Sequence, residues 1–284
     1  LYEVTKLYSK PGVKIYAKAE WEQLSGSVKA RAAFQIFKEA LLAGCLREGQ
    51  SLLDATSGNT GIAYAAIGKA LGIPVTLFVP ENASKERKEL LKSFGANVIY
   101  TSKFGGTDEA QQAAAEAAEQ FPERYYYANQ YANPHNWKAH YYGTALEIIR
   151  QVPNITHFVA GLGTTGTFVG TGRRLLAHNP NIELVALQPD CALHGLEGWK
   201  HLETALVPAI YDAALPQRFV EIGTQTAYQY IVKTARTEGW LLSPSAAANL
   251  AGAIAVAETI REGVIVTVLP DNALKYSEII NKLF

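Results

Sequence analysis

Cysteine is scarce in this sequence of 284 residues, and methionine is absent altogether. The two cysteines, Cys45 and Cys191, form no Cys-x-x-Cys pair, which excludes a disulfide framework and fits a reducing cytoplasm. No cluster of metal-ligand spacing is evident, so we expect no metal site. Because the chain starts at Leu1 without methionine, we expect a processed or truncated N-terminus.

The sequence also lacks an excess of charge of either sign and any long apolar run. Lys and Arg total 26, as do Asp and Glu, so nothing indicates binding to nucleic acid or to an anionic membrane. The longest apolar runs, such as the one from Gly263, are too short to span a bilayer, and no basic-then-apolar leader is present. With 48% hydrophobic residues, we expect one large or two ordinary globular domains.

What the sequence does contain is an alternation of strand-like and helix-like segments, which predicts an α/β fold with mostly parallel sheets. The predicted strands are SLLDAT, PVTLFVP, ANVIYT, RYYYAN, THFVAGLG, IELVALQP and VIVTVLPD. Several of the helical patterns between them end in glycine, the residue that favours a left-handed helix stop. KAHYYGTALEIIRQV is predicted as one continuous helix.

Two three-layer α/β/α domains are predicted. Residues 32–134 form a smaller, mobile, substrate-binding domain, and residues 1–31 plus 135–284 form a larger cofactor-binding domain. The strand-like segment VKIYAKAEW has no partner in its own block, so we assign it to the larger domain. The chain would then cross between the domains twice and leave a cleft beside Lys29.

Lys29 lies in the stretch SGSVKAR, just before a helical pattern. The helix dipole disfavours a cation at this end of a helix. A surface lysine in a tight turn and a lysine used as an amine are both compatible with this position.

The segment DATSGNTGIAY ends a strand and opens a helix, with six small or polar residues from Thr56 to Gly61. Backbone N–H groups and hydroxyls at a helix N-terminus suit an anion such as a carboxylate. An ordinary helix cap needs only one such residue, so the pattern favours a ligand over a cap.

A second loop, VAGLGTTGTFVG, carries Gly161, Gly163 and Gly166 between a strand and a helix. Their spacing matches the dinucleotide fingerprint, and Asp190 ends the next strand, so an NAD-dependent dehydrogenase is one interpretation. The three threonines of the loop instead suit a terminal phosphate, whose oxygens need several donors. The dehydrogenase interpretation also leaves Lys29 unexplained.

A third loop, LLSPSAAANLAG, places Ser245 at the start of a small-residue helix, either as part of a cap or as a hydroxyl for a ring nitrogen. An amine, a phosphate loop, a carboxylate loop and a hydroxyl together are what pyridoxal phosphate needs to react with an amino acid. We therefore expect pyridoxal 5'-phosphate as the cofactor.

Over nearly its whole length the chain resembles the cysteine synthases (O-acetylserine sulfhydrylases, cysteine synthase B branch) of the fold type II pyridoxal-phosphate enzymes. GSVKAR is similar to the family's Gly-Ser-Val-Lys-Asp-Arg, TSGNTG is identical to its carboxylate loop, and GTTGT resembles its phosphate loop. SPSAAA, NQYANPHN and LPDNALKY resemble three further family segments.

The resemblance implies a role for each matching residue. Lys29 would be the catalytic lysine, joined to the cofactor as a Schiff base, with Asn59 at the ring hydroxyl and Ser245 at the ring nitrogen. The implied phosphate loop is Gly163, Thr164, Thr165, Gly166 and Thr167. The implied substrate site is Thr56, Ser57, Gly58, Asn59, Thr60 and Gln130.

The chain also departs from the family pattern. Ala30 replaces an aspartate that takes no part in the chemistry, the Ser-Ser-Gly segment has become Ser245-Ala246-Ala247, and an N-terminal Asn-Thr-Pro-Leu stretch is absent. Lys200 stands where relatives that use phosphoserine place a basic residue. We expect it to bind a phosphate leaving group, with a solvated surface lysine as the alternative.

The resemblance implies synthesis of L-cysteine from an O-activated serine and sulfide, through an α-aminoacrylate intermediate, by a cytoplasmic homodimer. A serine or threonine dehydratase is a weaker match, because its lysine motif is usually Ser-Phe-Lys. A cystathionine β-synthase would need regulatory modules for which the chain has no room. A catalytically silent relative would not need Lys29, Asn59 and the threonine-rich loop intact.

Overall fold

The computed structural model describes residues 1–56 and 58–284. Over these ranges the strands are β1 Tyr2–Glu3, β2 Val13–Ala19, β3 Ser51–Ala55, β4 Val75–Pro80, β5 Asn97–Thr101, β6 Tyr125–Tyr127, β7 His157–Gly161, β8 Glu183–Pro189, β9 Arg218–Ile222 and β10 Gly263–Leu269. The helices are α1 Lys29–Leu42, α2 Asn59–Leu71, α3 Lys85–Ser93, α4 Gly106–Gln120, α5 Pro134–Ala139, α6 Ala145–Gln151, α7 Gly166–His178, α8 Thr224–Thr237, α9 Pro244–Thr259 and α10 Ser277–Leu283.

The chain divides into two compact units. The large unit comprises Leu1–Glu22, Gly26–Val28 and Trp137–Phe284, and the small unit comprises Gln23–Ser25 and Lys29–Asn136.

The sheet of the large unit has the strand order β1-β2-β10-β7-β8-β9. The short β1 pairs antiparallel with β2, and every other described pairing in this sheet is parallel. The strand β2 pairs with β10, so the two N-terminal strands β1 and β2 join a sheet whose other members come from far along the chain. The interior strands are buried on both faces because helices pack on each side of the sheet.

The sheet of the small unit has the order β5-β4-β3-β6, and its described pairings are all parallel. Helices α1 and α2 bury their apolar faces on one side of it, and the alanine-rich face of α4 packs on the other. The predicted α/β class with parallel sheets is confirmed, and each of the seven predicted strands forms.

The predicted secondary structure differs from the observed one in two details. The helix predicted from Lys138 forms, but its hydrogen bonding changes at His140–Thr144, which is a π-helical turn between α5 and α6. The edge strand β9 and the C-terminal helix α10 have no counterpart in the predicted elements. β9 is the outermost strand of its sheet and alternates partly buried and exposed residues. It therefore lacks the apolar run that predicts a buried strand.

Among the described residues, no helix combines the length and apolar character needed to cross a membrane. Across residues 1–56 and 58–284 there is also no group of three or more His, Cys, Asp or Glu side chains that could hold a metal ion.

Candidate functional site

The predicted phosphate loop connects β7 to α7 in the large unit. Thr165 has a left-handed backbone (φ 69°), and the first N–H groups of α7 follow it directly. Its Oγ1 is buried and has no hydrogen-bond partner among the described residues. A buried hydroxyl without a partner costs stability unless a ligand satisfies it. An anion at the N-terminus of α7 would supply that partner.

Two glycines in this loop are required by close packing. A Cβ at Gly161 would overlap the indole ring of Trp199, and a Cβ at Gly163 would overlap the carbonyl oxygen of Gly198. The segment from Gly198 to Lys200 therefore lies directly against the loop, and the N–H of Lys200 donates to the carbonyl of Leu162 at 2.8 Å. Gly161 and Gly163 are therefore needed for the packing of this segment on the loop.

Lys200 lies in the segment that packs on the phosphate loop, and only 6% of its surface is exposed. The alternative of a solvated surface lysine is therefore wrong.

Ser245 lies at the start of α9, also in the large unit, and it is buried. Its neighbour Ser243 caps the helix by accepting the N–H of Ala246 at 3.2 Å, and the two serine hydroxyls are 3.4 Å apart. Ser243 is thus the capping residue, and the Ser245 hydroxyl is not needed for the cap, although it shares a hydrogen bond with Ser243.

Asn249 links this helix to the phosphate loop, and sequence reasoning missed it. Its Oδ1 accepts the backbone N–H of Gly161 at 2.7 Å. Ser245 and Asn249 are four residues apart on α9 and so share one face of that helix. The signal in the sequence is a single asparagine in a run of alanine and glycine, a polar group that a buried helix must satisfy.

His140 is a second residue that sequence reasoning missed. It is buried in the π-helical turn, its Nδ1 is 2.9 Å from Thr144 Oγ1, and its Nε2 is 3.3 Å from Thr167 Oγ1. π-Helical turns occur frequently at functional sites. Here the turn brings an imidazole to the last threonine of the phosphate loop.

The predicted carboxylate loop lies in the small unit, between β3 and α2. Thr56 Oγ1 accepts the N–H groups of Gly58 at 3.0 Å and Gly61 at 3.2 Å, which holds the loop in a tight turn. Arg87 of α3 is buried with its side chain against Gly58, where a Cβ would overlap it. Asn59 opens α2, and Ser57 falls outside the described residues.

Gln130 follows β6, and both its side-chain amide atoms and its backbone carbonyl are hydrogen-bonded. Its Oε1 accepts from the Thr60 hydroxyl at 2.7 Å, and its Nε2 donates to the carbonyl of Ala55 at 2.7 Å. Its backbone carbonyl accepts from Asn136 at 2.7 Å. Gln130 therefore lies beside the carboxylate loop in a fixed orientation, with a second Nε2 hydrogen still able to donate to a ligand.

Asp54 ends β3 beneath this loop and is fully buried. Its Oδ1 accepts the N–H of Ala55 at 2.9 Å, and its Oδ2 accepts the N–H of Gln130 at 3.3 Å. Burial raises the pKa of the Asp54 carboxyl to about 7, although these two donors and the Tyr64 hydroxyl act to lower it.

Lys29 is the first residue of α1 and belongs to the small unit. The preceding turn is left-handed at Ser25 (φ 61°) and Gly26 (φ 69°), a conformation that glycine adopts without strain. In the large unit, the carbonyl of Gly26 accepts from Lys275 at 3.0 Å, and Val28 N–H donates to Pro270 at 2.8 Å. The backbone that leads into Lys29 is therefore held on both sides of Ser27.

The site residues predicted from sequence thus fall into two sets. The large unit holds Gly163, Thr164, Thr165, Gly166, Thr167, Lys200 and Ser245, and the small unit holds Lys29, Thr56, Gly58, Asn59, Thr60 and Gln130. Asp190, the candidate ribose-binding acid, lies with its carboxylate against Gly223, just before α8. The orphaned Thr165 hydroxyl and the N-terminus of α7 fit the phosphate of pyridoxal phosphate.

Comparison with known proteins gives one family and several similar sequences. Residues 1–271 match the family described as pyridoxal-phosphate dependent enzymes. A cysteine synthase of Aquifex aeolicus is 45% identical over 269 residues, which cover 93% of this chain and 82% of that protein.

Two solved enzyme structures have a fold similar to that of this chain. The cysteine synthase of Entamoeba histolytica superposes with a TM-score of 0.91 at 27% identity, covering 99% of this chain and 91% of that one. An O-acetylserine dependent cystathionine β-synthase from Helicobacter pylori superposes with a TM-score of 0.89 at 30% identity, covering 94% and 89%.

Proposed function

Because this chain belongs to the pyridoxal-phosphate dependent enzyme family, we propose that it makes L-cysteine from an O-activated L-serine and sulfide. The observation that carries the proposal is the phosphate loop, where the buried Thr165 hydroxyl has no partner among the described residues. The family match includes Gly161, Gly163, Gly166 and Asp190, so it does not support the interpretation of these residues as a dinucleotide fingerprint.

The residues of the large unit would hold the cofactor. We assign its phosphate to Gly163–Thr167, with the N-terminus of α7 as the positive end of the helix dipole. We assign its ring nitrogen to the Ser245 hydroxyl. When bound, the cofactor withdraws electrons from the substrate Cα, and a neutral hydroxyl at the ring nitrogen limits that withdrawal, which favours elimination over transamination.

The residues of the small unit would hold the amino acid. Thr56, Ser57, Gly58, Asn59, Thr60 and Gln130 are assigned to the substrate carboxylate, with Asn59 also at the cofactor ring hydroxyl. Lys29 would hold the cofactor in the resting enzyme and then take the proton from Cα as general base. Loss of the β-substituent is a lyase half-reaction, and addition of sulfide completes a ping-pong replacement.

The test is direct assay of the purified protein supplied with pyridoxal phosphate. Cysteine should form from O-acetylserine and sulfide, and Lys29→Ala should abolish both this activity and the visible absorbance of the cofactor. Lys38→Ala removes an exposed lysine from the same helix and is the matched control. If the parent protein is colourless and makes no cysteine, the proposed function is wrong.

The same assay separates the alternative functions within the family. A serine or threonine dehydratase would release a 2-oxo acid from serine or threonine without sulfide. A cystathionine β-synthase would use homocysteine in place of sulfide, and the Helicobacter pylori cystathionine β-synthase is O-acetylserine dependent.

Lys200 is assigned to the leaving group. Lys200 is buried in the segment whose backbone packs on the phosphate loop, and a phosphate leaving group binds an ammonium more strongly than an acetate does. O-Phosphoserine is therefore included beside O-acetylserine as a candidate substrate.

We also propose a homodimer in the cytoplasm. Phe34 and Leu41 are exposed and lie seven residues apart on α1, so they share one face of that helix, as a subunit contact would require. Cys45 and Cys191 are free and exposed, which suits a reducing compartment. Light scattering coupled to size exclusion would give about twice the monomer mass of 30.9 kDa.

A further inference from the structure

We propose that Asp54 is a positioning residue, which orients Gln130 and, through it, the Thr60 hydroxyl at the carboxylate loop. The inference rests on the proposed function, because it gives the loop and Gln130 the task of binding the substrate carboxylate. Asp54 itself is assigned no contact with the substrate.

The connection runs through short hydrogen bonds within the small unit. Asp54 accepts the backbone N–H of Gln130, and the Gln130 side chain spans from the Ala55 carbonyl to the Thr60 hydroxyl. Because Gln130 and Thr60 are buried, neither can exchange these partners freely for water. A change at Asp54 is therefore transmitted to the first turn of α2.

The two forms of the Asp54 carboxyl differ in what they can hold. The ionised form accepts the N–H groups of both Ala55 and Gln130, one on each oxygen. The protonated form carries a hydroxyl on one oxygen and no negative charge, so it accepts these N–H groups more weakly than the carboxylate does. The bond to Gln130, at 3.3 Å, is longer than the bond to Ala55, at 2.9 Å, so protonation should release Gln130 first.

The groups that face Asp54 allow it to titrate near neutral pH. They are tyrosines: Tyr64 from α2, Tyr126 and Tyr127 from β6, and Tyr131 after it. Burial raises the pKa of each of these tyrosines, so they stay neutral in the physiological range. Outside this group of tyrosines, Cys45 faces Tyr126 and Asp108 of α4 faces Tyr131. Arg87 of α3 lies against Gly58.

The consequence is a pH-dependent affinity for the amino-acid substrate. Above pH 7 the ionised carboxyl accepts the backbone N–H of Gln130, and below pH 7 the protonated form binds this N–H only weakly. The KM for O-acetylserine should therefore rise about tenfold between pH 8 and pH 6, as the ionised fraction falls to about a tenth. Protonation of Asp54 should lower kcat, measured at saturating substrate, only slightly.

The main variant is Asp54→Asn, which keeps the size of the side chain and removes its titration. It should raise the KM for O-acetylserine at pH 8 about tenfold and change kcat by less than about twofold. The KM of the variant should no longer rise between pH 8 and pH 6. Gln50→Ala is the control, because it removes a buried polar side chain that bonds to Arg47 and Pro122 beside the opposite end of β3.

A second variant keeps the test decisive if Asp54→Asn folds poorly. The Tyr64 hydroxyl lowers the pKa of the Asp54 carboxyl, although its oxygen makes no hydrogen bond of ordinary geometry among the described residues. Tyr64→Phe should therefore move the midpoint of the KM profile to higher pH without changing the plateau at pH 9. A purely structural role for either residue would not move this midpoint.

The outcomes separate this inference from the proposed function. If the parent protein makes no cysteine from O-acetylserine at any pH, the proposed function fails. If the parent is active but Asp54→Asn keeps its KM and pH profile, or loses kcat with KM unchanged, the positioning role is overturned. A KM of the parent that stays constant between pH 8 and pH 6 also overturns it.

Discussion

The hydroxyl of Thr60 donates a hydrogen bond of 2.7 Å to the side-chain oxygen of Gln130, 70 residues away in the chain. This bond joins the first turn of α2 to the segment that follows β6. It is buried, so its loss leaves polar groups unsatisfied as well as a loop unsupported.

Replacing Gln130 by Ala should weaken substrate binding more than catalysis. The change removes the bonds to Thr60 and Ala55, so we expect the KM for O-acetylserine to rise at least about tenfold and kcat to fall less. Steady-state kinetics at saturating sulfide measures both. Gln111→Ala, on α4, is the control, and equal effects of the two variants would contradict a specific role for Gln130.

Replacing Gly163 by Ala should impair cofactor binding. The new Cβ would overlap the backbone carbonyl of Gly198, which a side-chain rotation cannot relieve, so the phosphate loop must move. Absorbance titration of the variant with pyridoxal phosphate should show at least about tenfold weaker binding. Gly239→Ala adds a Cβ in open space at a left-handed residue and should leave cofactor affinity unchanged.

Replacing Lys200 by Ala should distinguish the two candidate substrates. Loss of a buried positive charge should reduce kcat/KM for O-phosphoserine about tenfold or more, and for O-acetylserine much less, because the phosphate dianion depends more on a cation. Lys233→Ala, on α8, is the exposed control. An equal loss on both substrates, or none, would remove Lys200 from leaving-group recognition.

Replacing Lys10 by Ala should destabilise the large unit without affecting chemistry. The Lys10 ammonium donates to the carbonyls of Ala257, Glu258 and Ile260 at 3.1, 3.1 and 2.8 Å and so caps the C-terminus of α9. The loss should cost about 1–2 kcal/mol, measured by urea unfolding. Lys14→Ala, which removes an exposed pair with Glu3, should cost less than about 0.5 kcal/mol.

Asp54 should also leave a signature in the pH dependence of stability. Its pKa is raised on folding, from 3.8 to about 7, so the folded protein binds the proton more tightly than the unfolded chain does. Its favourable contribution is complete below pH 3.8 and is lost as pH rises to about 7. The free energy of unfolding of the parent, minus that of Asp54→Asn, should therefore fall by up to about 4 kcal/mol over this window.

Urea unfolding of both proteins between pH 4.5 and 8.5 measures this difference, in which the contributions of other titrating groups cancel. Asn181→Ala, which replaces an exposed side chain that does not titrate, should give a nearly constant difference. A flat difference for Asp54→Asn would show that its pKa is not raised by folding.

Most of the fold could be predicted from local patterns. The buried strands are short apolar runs between turn residues, and such runs have few alternatives in an α/β chain. The π-helical turn at His140–Thr144 could not be predicted, because one of the contacts of His140 is with Thr167, 27 residues away. The exposed edge strand β9 gives too weak a pattern to be recognised.

The candidate site divides in the same way. Lys29, the carboxylate loop and the phosphate loop could be singled out because amines, hydroxyls and glycines at strand-to-helix junctions suit anion and cofactor chemistry. The sequence marks Asn249 only as a polar residue in an apolar helix, and its partner Gly161, 88 residues away, is visible only in the structure. The burial of Lys200 was likewise invisible in its neighbours along the chain.

The sequence by itself thus determined the order of strands and helices and the chemical groups at their junctions, because these depend on residues close together in the chain. Only the tertiary structure decided which buried polar groups meet and which carboxyl titrates near neutral pH. Desolvation and hydrogen bonding depend on what packs around a side chain, and at Asp54 that environment comes from α2, β6 and Gln130, not from its neighbours in β3 alone.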